Sequence, residues 1–410
     1  MRVTYLHQYF NTPSMAGSTR SYEMARRLVL MGHEVSIVTS WRKDNSRGKD
    51  WFVTQEDGIT VHWLPLPYSN RLTYRQRIHA FLRFAWAAGR RAAALPADIV
   101  FATSTPLTIA LPAVYAAKRQ AVAMVFEVRD LWPELPIAMG ALNSPLLRGL
   151  ARALEKFSYR HSKAVIALSP GMRDGVAATG YPIDRITVIP NSADLDRFFP
   201  DAHMKRQFRR LHDIGERDVL VVYAGTLGRI NGVSYLVDLA AALSEVKNVR
   251  FLIVGDGQEA EQIRAYAAQR GCLGLNFHMM PEVSKAEIAG VFAAADIAVS
   301  TIIPLPELEA NSANKFFDGL AAGCCVGVNH GGWQADLLRE HQAGFQLPRA
   351  IDQAAAELMD WALQPERIAT AGQRARMLAE RLFSRDLLAR ELERVLMRSA
   401  GNRMSQTEQK

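Results

Sequence analysis

The segment Ser312-Ala-Asn-Lys-Phe-Phe-Asp-Gly-Leu-Ala-Ala-Gly323 brings together groups that bind ionised, hydroxylated ligands. Phe316, Phe317 and Leu320 repeat at helical spacing and Gly323 closes the run, which predicts a helix with Ser312 as N-cap. Asn314 and Lys315 then fall in its first turn, where open N–H groups and a lysine together make an anion site. Asp318, one turn on, offers an acceptor-only carboxylate to the two hydroxyls of a ribose. Gly225-Thr-Leu-Gly-Arg229-Ile-Asn-Gly232 is a second phosphate-contacting segment. Its small residues let the backbone close on an oxyanion, and Arg229 can pair that oxyanion in a bidentate manner. Gly255-Asp-Gly257 is too common a turn to carry weight alone.

Three other segments carry polar groups. The loop His7 to Arg20 follows the first strand, and Gly17 within it lets the backbone pass close to a ligand. It has neither a GxGxxG pattern nor the GKS or GKT of a P-loop, so dehydrogenase and P-loop chemistry are not expected. Glu127-Val-Arg-Asp-Leu-Trp-Pro-Glu134 ends an apolar strand. Arg129, Asp130 and Glu134 could orient or deprotonate a hydroxyl there, or could form an ion-paired turn. Asp194-Leu-Asp196 has the spacing of a metal-holding pair but follows Pro190-Asn-Ser192 at a hinge, away from the strand ends. No metal is expected.

These segments need a scaffold that gathers strand ends. Strands are predicted at Val3 to Leu6, Glu34 to Ser40, Ile59 to Leu64, Ile99 to Thr103, Ala123 to Val128, Ala164 to Leu168 and Thr187 to Asn191. A helix over Thr19 to Met31 separates the first two, the βαβ pattern of a parallel sheet. The cycle restarts with strands at Asp218 to Ala224, Val249 to Gly255 and Ile297 to Ser300, and with helices at Ser234 to Leu243 and Ser284 to Ala294. Two doubly wound domains are therefore expected, joined near Pro190 to Pro200.

At 410 residues, with 49% hydrophobic and 22% charged residues, the chain has the composition of a two-domain globular protein. Cys272, Cys324 and Cys325 have no metal-ligand or disulfide spacing and read as buried small residues of a reducing cytosol. The opening Met1 to Leu6 is too short for a secretion signal, and no apolar run of about 20 residues predicts a spanning helix. Residues 1–200 hold 25 Lys and Arg against 15 Asp and Glu, whereas residues 201–410 hold 24 against 26. A basic first half suits an anionic partner. Arg71 to Leu95 interleaves Arg71, Arg75, Arg77, Arg83, Arg90 and Arg91 with Tyr74, Phe81, Phe84 and Trp86, fitting either an anionic membrane surface or a solvated helix with a core stripe. No nucleic-acid motif accompanies it, and no nucleic-acid partner is expected.

Taken together, five stretches resemble the retaining GT-B glycosyltransferases of family 4, the "glycosyl transferases group 1" set. They are Gly17 with Met31-Gly-His-Glu-Val35, Ala164 to Met172, Val188 to Phe198, Leu252 to Gly257 and Lys315 to Val326. His7-Gln-Tyr-Phe10, Arg129-Asp-Leu-Trp-Pro133 and Asn314-Lys-Phe-Phe-Asp318 are similar to the branch of O-antigen N-acetyl-L-fucosaminyltransferases. Some positions depart from the pattern. Asp318 and Ala310 stand where the family has a glutamate pair, with Glu309 one place early. Thr226 and Asn231 stand in place of an Arg and a Lys, and Arg129 in place of a histidine.

The resemblance implies an α/β chain of GT-B type, two doubly wound Rossmann-like domains facing across a cleft. The N-terminal acceptor domain would span residues 1–195 and the nucleotide-sugar domain 196–384. A helix at 385–400 would cross back to the first domain, and 401–410 would form a flexible tail. It implies donor phosphates at Gly17, Arg229, Asn314 and Lys315, the ribose at Asp318, and the base near Gly255, Met280, Pro281 and Glu282. His7, Arg20 and Glu134 fall on the acceptor side, and Arg129, Asp130 and Glu309 among the catalytic groups. The expected activity is retaining transfer from a UDP-sugar, the branch suggesting an N-acetylated amino sugar such as N-acetyl-L-fucosamine. The expected acceptor is a polyprenyl-diphosphate-linked saccharide in O-antigen or other surface-polysaccharide synthesis. No cofactor is expected beyond the donor itself. Residues 71–95 would hold the enzyme peripherally on the cytoplasmic face of the cytoplasmic membrane. A nucleotide-sugar epimerase on the same fold, or a non-enzymatic basic protein binding membrane or nucleic acid, are the alternatives.

Overall fold

The computed structural model describes residues 1–15, 17–42, 48–66, 74–192, 194–284 and 287–401. Of the basic stretch at 71–95, Arg71 and the side chains of Tyr74, Arg75 and Arg77 lie outside what is described, as do residues 285 and 286 of the expected helix at Ser284 to Ala294 and nearly all of the expected tail. The chain divides into two units, Met1–Pro190 with the chain's end from Asp386, and Asn191–Arg385. Asn191 to Leu195, expected in the first domain, thus go with the second, where Asn191 is hydrogen-bonded to Ser312.

The first unit is built on eight strands: β1 (Arg2–Leu6), β2 (Glu34–Trp41), β3 (Phe52–Glu56), β4 (Ile59–Pro65), β5 (Ile99–Thr103), β6 (Ala123–Val128), β7 (Ala164–Ala167) and β8 (Ile186–Val188). Their order is β3-β4-β2-β1-β5-β6-β7-β8. All neighbours pair in parallel except β3 and β4, an antiparallel hairpin whose turn, Asp57-Gly58, has positive φ at both residues. Strand β3 had no sequence signal because it lies at the sheet's edge and its side chains alternate between half-buried and exposed. The central strands are apolar on both faces, as a sheet covered by helices on each side requires. One face packs Tyr5, Ile37 and Phe101 against Met24 and Leu28 of the helix Arg20–Leu30. The same core takes in Leu388, Leu392, Val395 and Leu396 of the helix Arg385–Ala400, so the end of the chain completes the first unit.

The second unit holds six parallel strands: β9 (Val219–Ala224), β10 (Val249–Val254), β11 (Phe277–Met280), β12 (Ile297–Ser300), β13 (Cys325–Val328) and β14 (Gly344–Gln346), in the order β11-β10-β9-β12-β13-β14. Alternate residues of each strand feed two separate cores. Leu220, Val222, Leu252, Ala298 and Val326 face the helices Glu287–Ala294, Asn314–Ala321 and Pro365–Leu382. Val221, Tyr223, Phe251, Ile297 and Val299 face Ser234–Ala242, Ala260–Gln269 and Ile351–Ala362. Both units are doubly wound α/β sheets, and the three cysteines are free and buried.

Candidate functional site

In an open parallel sheet a crevice opens at the carboxyl ends of two adjacent strands whose connections leave in opposite directions. In the second unit those strands are β9 and β12. Residues 225–227 run from β9 alongside the end of β10, Gly225 N donating to Val254 O and Leu227 N to Asp256 O, each at 2.9 Å. A Cβ on Gly255 (φ +151°) would lie 2.0 Å from Gly225 O, so this close approach admits only glycine. Gly255 N in turn donates to Met280 O at 3.1 Å, and exposed Pro281 and Glu282 follow. The residues expected at the base thus share one stretch of the carboxyl edge. On the other side, the 3-10 turn Arg229–Asn231 is fastened to the segment after β12 by Ile303 N to Ile230 O (3.1 Å) and Thr301 Oγ1 to Asn231 O (2.7 Å).

Lys315 reaches this crevice from the first turn of the helix Asn314–Ala321. Its Nζ donates to Asn231 Oδ1 at 2.9 Å and lies 4.9 Å from the centroid of the Tyr223 ring. Neither partner is charged, and among the described residues no carboxylate lies within ion-pair distance of the ammonium. Burial among uncharged groups lowers its pKa to about 8. The expected cap at Ser312 is not formed. The Ser312 hydroxyl accepts instead from Asn191 N at 3.0 Å, and Ala313, with no capping side chain, occupies the N-cap position. The helix start is left open beside Lys315, with Asn314 exposed and Asp318 half-buried one turn along. Arg229 is exposed and its side chain has no hydrogen-bond partner among the described residues. Glu309 sits in the loop between β12 and this helix, its carboxylate beside Gly331 after β13. Arg229, Glu309, Asn314, Lys315 and Asp318 thus stand on or just past the carboxyl ends of neighbouring strands.

The equivalent strands of the first unit are β1 and β5. Here the main polar feature is a buried ion pair. Arg20 donates from Nε (3.1 Å) and Nη2 (2.8 Å) to Glu127 Oε1, and also to the carbonyls of Ile189 and Pro190. Thr103 Oγ1 donates to Glu127 Oε2 at 2.6 Å. Burial pushes the Glu127 carboxyl up, but the charge and hydrogen bonds of Arg20 outweigh it and hold the group below the ordinary range. Arg20, expected on the acceptor side, is turned inward and only 7% exposed, and its guanidinium ties β6 to the chain after β8.

Arg129 follows β6 and donates from Nη2 to Ser18 Oγ (3.1 Å) and from Nη1 toward His7 Nε2 (3.4 Å), while its own N–H donates to Ser104 Oγ (2.9 Å). A guanidinium has no acceptor, so the His7 ring accepts and is neutral. Burial, then the charges of Arg129 and Arg42, push its pKa well below the usual value. Asp130 accepts from Thr105 Oγ1 at 3.2 Å. Gly17 sits in the loop after β1 with φ +109°, where a Cβ would meet Asn11 Nδ2 at 2.8 Å. Glu134 is not gathered with His7. It is exposed, pairs with Arg152 at 3.3 Å, and lines a cavity of about 290 Å³ with Leu131, Glu155 and Thr179, in which neither His7 nor Arg129 takes part. Of the three residues expected on the acceptor side, His7 and Arg20 thus lie at the strand ends with Arg129 and Ser18, and Glu134 lies apart.

Residues 16–192 match the model of the glycosyl transferase 4-like domain, and residues 218–364 match that of the glycosyl transferases group 1. The chain is a glycosyltransferase, a 4-like domain followed by a group 1 domain. No curated protein matches it. Sucrose-phosphate synthase from Thermosynechococcus elongatus superposes with a TM-score of 0.77 at 16% identity, over 97% of this chain and 98% of that one. Anabaena HepE, solved with UDP and glucose, gives 0.70 at 15% over 97% and 99%. WaaG, a glycosyltransferase involved in lipopolysaccharide biosynthesis, gives 0.71 at 16% over 96% and 99%. At such identities the likeness establishes the fold, which is GT-B.

Two features of this glycosyltransferase were not expected from the sequence. Asn231, where the resemblance places a lysine, accepts a hydrogen bond from Lys315, so the ammonium beside it comes from the helix start. His330, just after β13, is buried and approaches Gly331 O with Nδ1 at 2.7 Å. A carbonyl only accepts, so Nδ1 carries the proton and Nε2 is left as an acceptor. Burial lowers its pKa, and Glu309, Lys315 and Arg349 are near enough to act on its charge. Asn329-His-Gly-Gly332 after a short apolar run was the cue in the sequence.

Proposed function

We propose that this enzyme transfers a sugar, with retention of anomeric configuration, from a UDP-sugar held by the second unit. The observation that carries the reading is Lys315: a half-buried ammonium with uncharged partners, next to an open helix start at the crevice of a doubly wound sheet. Keeping an ammonium there without a paired carboxylate is costly, and a donor diphosphate would supply the opposite charge. Arg229 supplies a second cation and Asp318 a ribose acceptor. With Asn314 and the helix start, these neutralise the leaving diphosphate without a cofactor. HepE, of the same fold, was solved with UDP, which supports uridine as the base, read near Gly255, Met280, Pro281 and Glu282. Glu309 and His330 are the groups nearest to this anion site that could contact the donor sugar, and Arg129 and Asp130 act from the first unit.

The acceptor in this reading is a polyprenyl-diphosphate-linked saccharide of surface-polysaccharide synthesis, the donor sugar an N-acetylated amino sugar such as N-acetyl-L-fucosamine. The enzyme works peripherally at the cytoplasmic face of the cytoplasmic membrane. Among the described residues no helix is long and apolar enough to cross a membrane. The helix Tyr74–Ala94 instead exposes Leu82 and Trp86, the latter 68% accessible with Arg90 over its ring at 4.9 Å, an arrangement suited to an anionic lipid surface. A thermal-shift panel of UDP, GDP, ADP and dTDP tests the donor reading. UDP is expected to give the largest shift, and Lys315→Ala and Asp318→Ala are each expected to abolish it. An equal response to all four, or to none, would remove it.

A further inference from the structure

The carboxyl edge of the first unit carries a cation, Arg129, whose charge acts on the buried Glu127 although the two are not in ion-pair contact. Glu127, the buried carboxylate there, is occupied on one oxygen by Arg20 and on the other by Thr103. Arg129 is held instead by two uncharged groups, the Ser18 hydroxyl and the Nε2 of His7. Among the described residues no carboxylate lies within ion-pair distance of its guanidinium. Two of its five side-chain N–H donors are used, which leaves a planar set open to an oxyanion. Because His7 accepts through Nε2, its proton sits on Nδ1, and that buried atom has no partner among the described residues. A buried donor left unmade is a group that a ligand or a water completes. Arg42, hydrogen-bonded to Asn11 and over the ring of Tyr9, adds positive charge at the end of β2.

We propose that Arg129, braced by Ser18 and His7, binds a phosphate of the acceptor, so that the first unit recognises the diphosphate joining the saccharide to its lipid rather than a hydroxyl of the sugar. This rests on the reading above that the acceptor is diphosphate-linked. A sugar hydroxyl needs no guanidinium with open donors, whereas a diphosphate takes two parallel N–H bonds from one guanidinium. The donor's phosphate has the same chemistry, and the two sources are separated by experiment.

Binding of geranyl diphosphate to the full-length protein, with UDP saturating, is measured by calorimetry alongside UDP binding alone. Wild type is expected to bind geranyl diphosphate and not geraniol. Arg129→Ala should lower that affinity by about 30-fold or more, and Arg129→Lys, which keeps the charge but loses the fork, by about tenfold. Ser18→Ala should cost about threefold. UDP affinity should stay within about twofold of wild type in all three, since Lys315 and Arg229 belong to the other unit. If wild type ignores geranyl diphosphate, or binds geraniol equally, the proposal is overturned even where UDP binds. If Arg129→Ala loses UDP in parallel, the phosphate is the donor's and the proposal is overturned as well. Should wild type fail to bind UDP, the donor reading falls by itself, and the geranyl diphosphate titration without UDP still decides the role of Arg129. An unchanged melting temperature of Arg129→Lys separates a binding loss from misfolding.

Discussion

The two carboxyl edges of this enzyme start from the same topology and use cations in different ways. At the first, Arg20 and Glu127 neutralise each other under almost complete burial, and the pair ties β6 to the chain after β8. At the second, half-buried Lys315 stands at the equivalent end of its sheet with Asn231 and the Tyr223 ring beside it. A paired charge at a strand end holds the scaffold together, whereas an unpaired one is costly to keep there and marks where a ligand's charge is to arrive.

The contrast can be broken from either side. The largest expected effect is Arg20→Met, which strands Glu127 in the interior. A loss of about 3–5 kcal/mol from the first unit's stability is expected, seen as an earlier calorimetric transition, with UDP binding retained. Lys315→Ala should do the reverse. Turnover should fall by about 10²–10³, on the order of 3–4 kcal/mol at the transition state, while the ligand-free melting temperature holds or rises. If Lys315→Ala melted early with its activity intact, the two edges would not differ as described.

A pH profile sharpens the same point. Lys315 is charged below about 8 in the free enzyme and loses its proton above that. If UDP needs the ammonium, binding above that pH must take up a proton, and the Kd for UDP should rise toward about tenfold per pH unit after changing by only about twofold from pH 7 to 8. Lys315→Arg, charged throughout, should flatten the curve. The smallest effect is expected at Arg229, exposed and free to move. Its replacement by Ala should weaken UDP by roughly tenfold, with no change in the pH midpoint.

The periodic parts of the chain were legible in its sequence. Buried parallel strands such as Ile99–Thr103 and Val249–Val254 are continuous apolar runs, and the helix carrying Lys315 and Asp318 announces itself by Phe316, Phe317 and Leu320. What stayed hidden was decided by partners far along the chain. Ser312 looked like a cap, but its hydroxyl is taken by Asn191. Arg20 looked like a ligand group, but its carboxylate lies 107 residues away. Strands of three or four residues, such as β13 and β14, are too short to show a period, and with them His330 and its role at the edge went unseen.

The helix Arg385–Ala400 has a further consequence. The first unit's core needs Leu388, Leu392 and Leu396, so it is contributed by the two ends of the chain, and the second unit is an insertion within it. On a ribosome the inserted unit has all its residues in hand before the first can bury its last wall. The first unit, although begun first, is therefore finished last. An enzyme cut short before Leu388 would carry a complete second unit and a first unit with an exposed apolar sheet face.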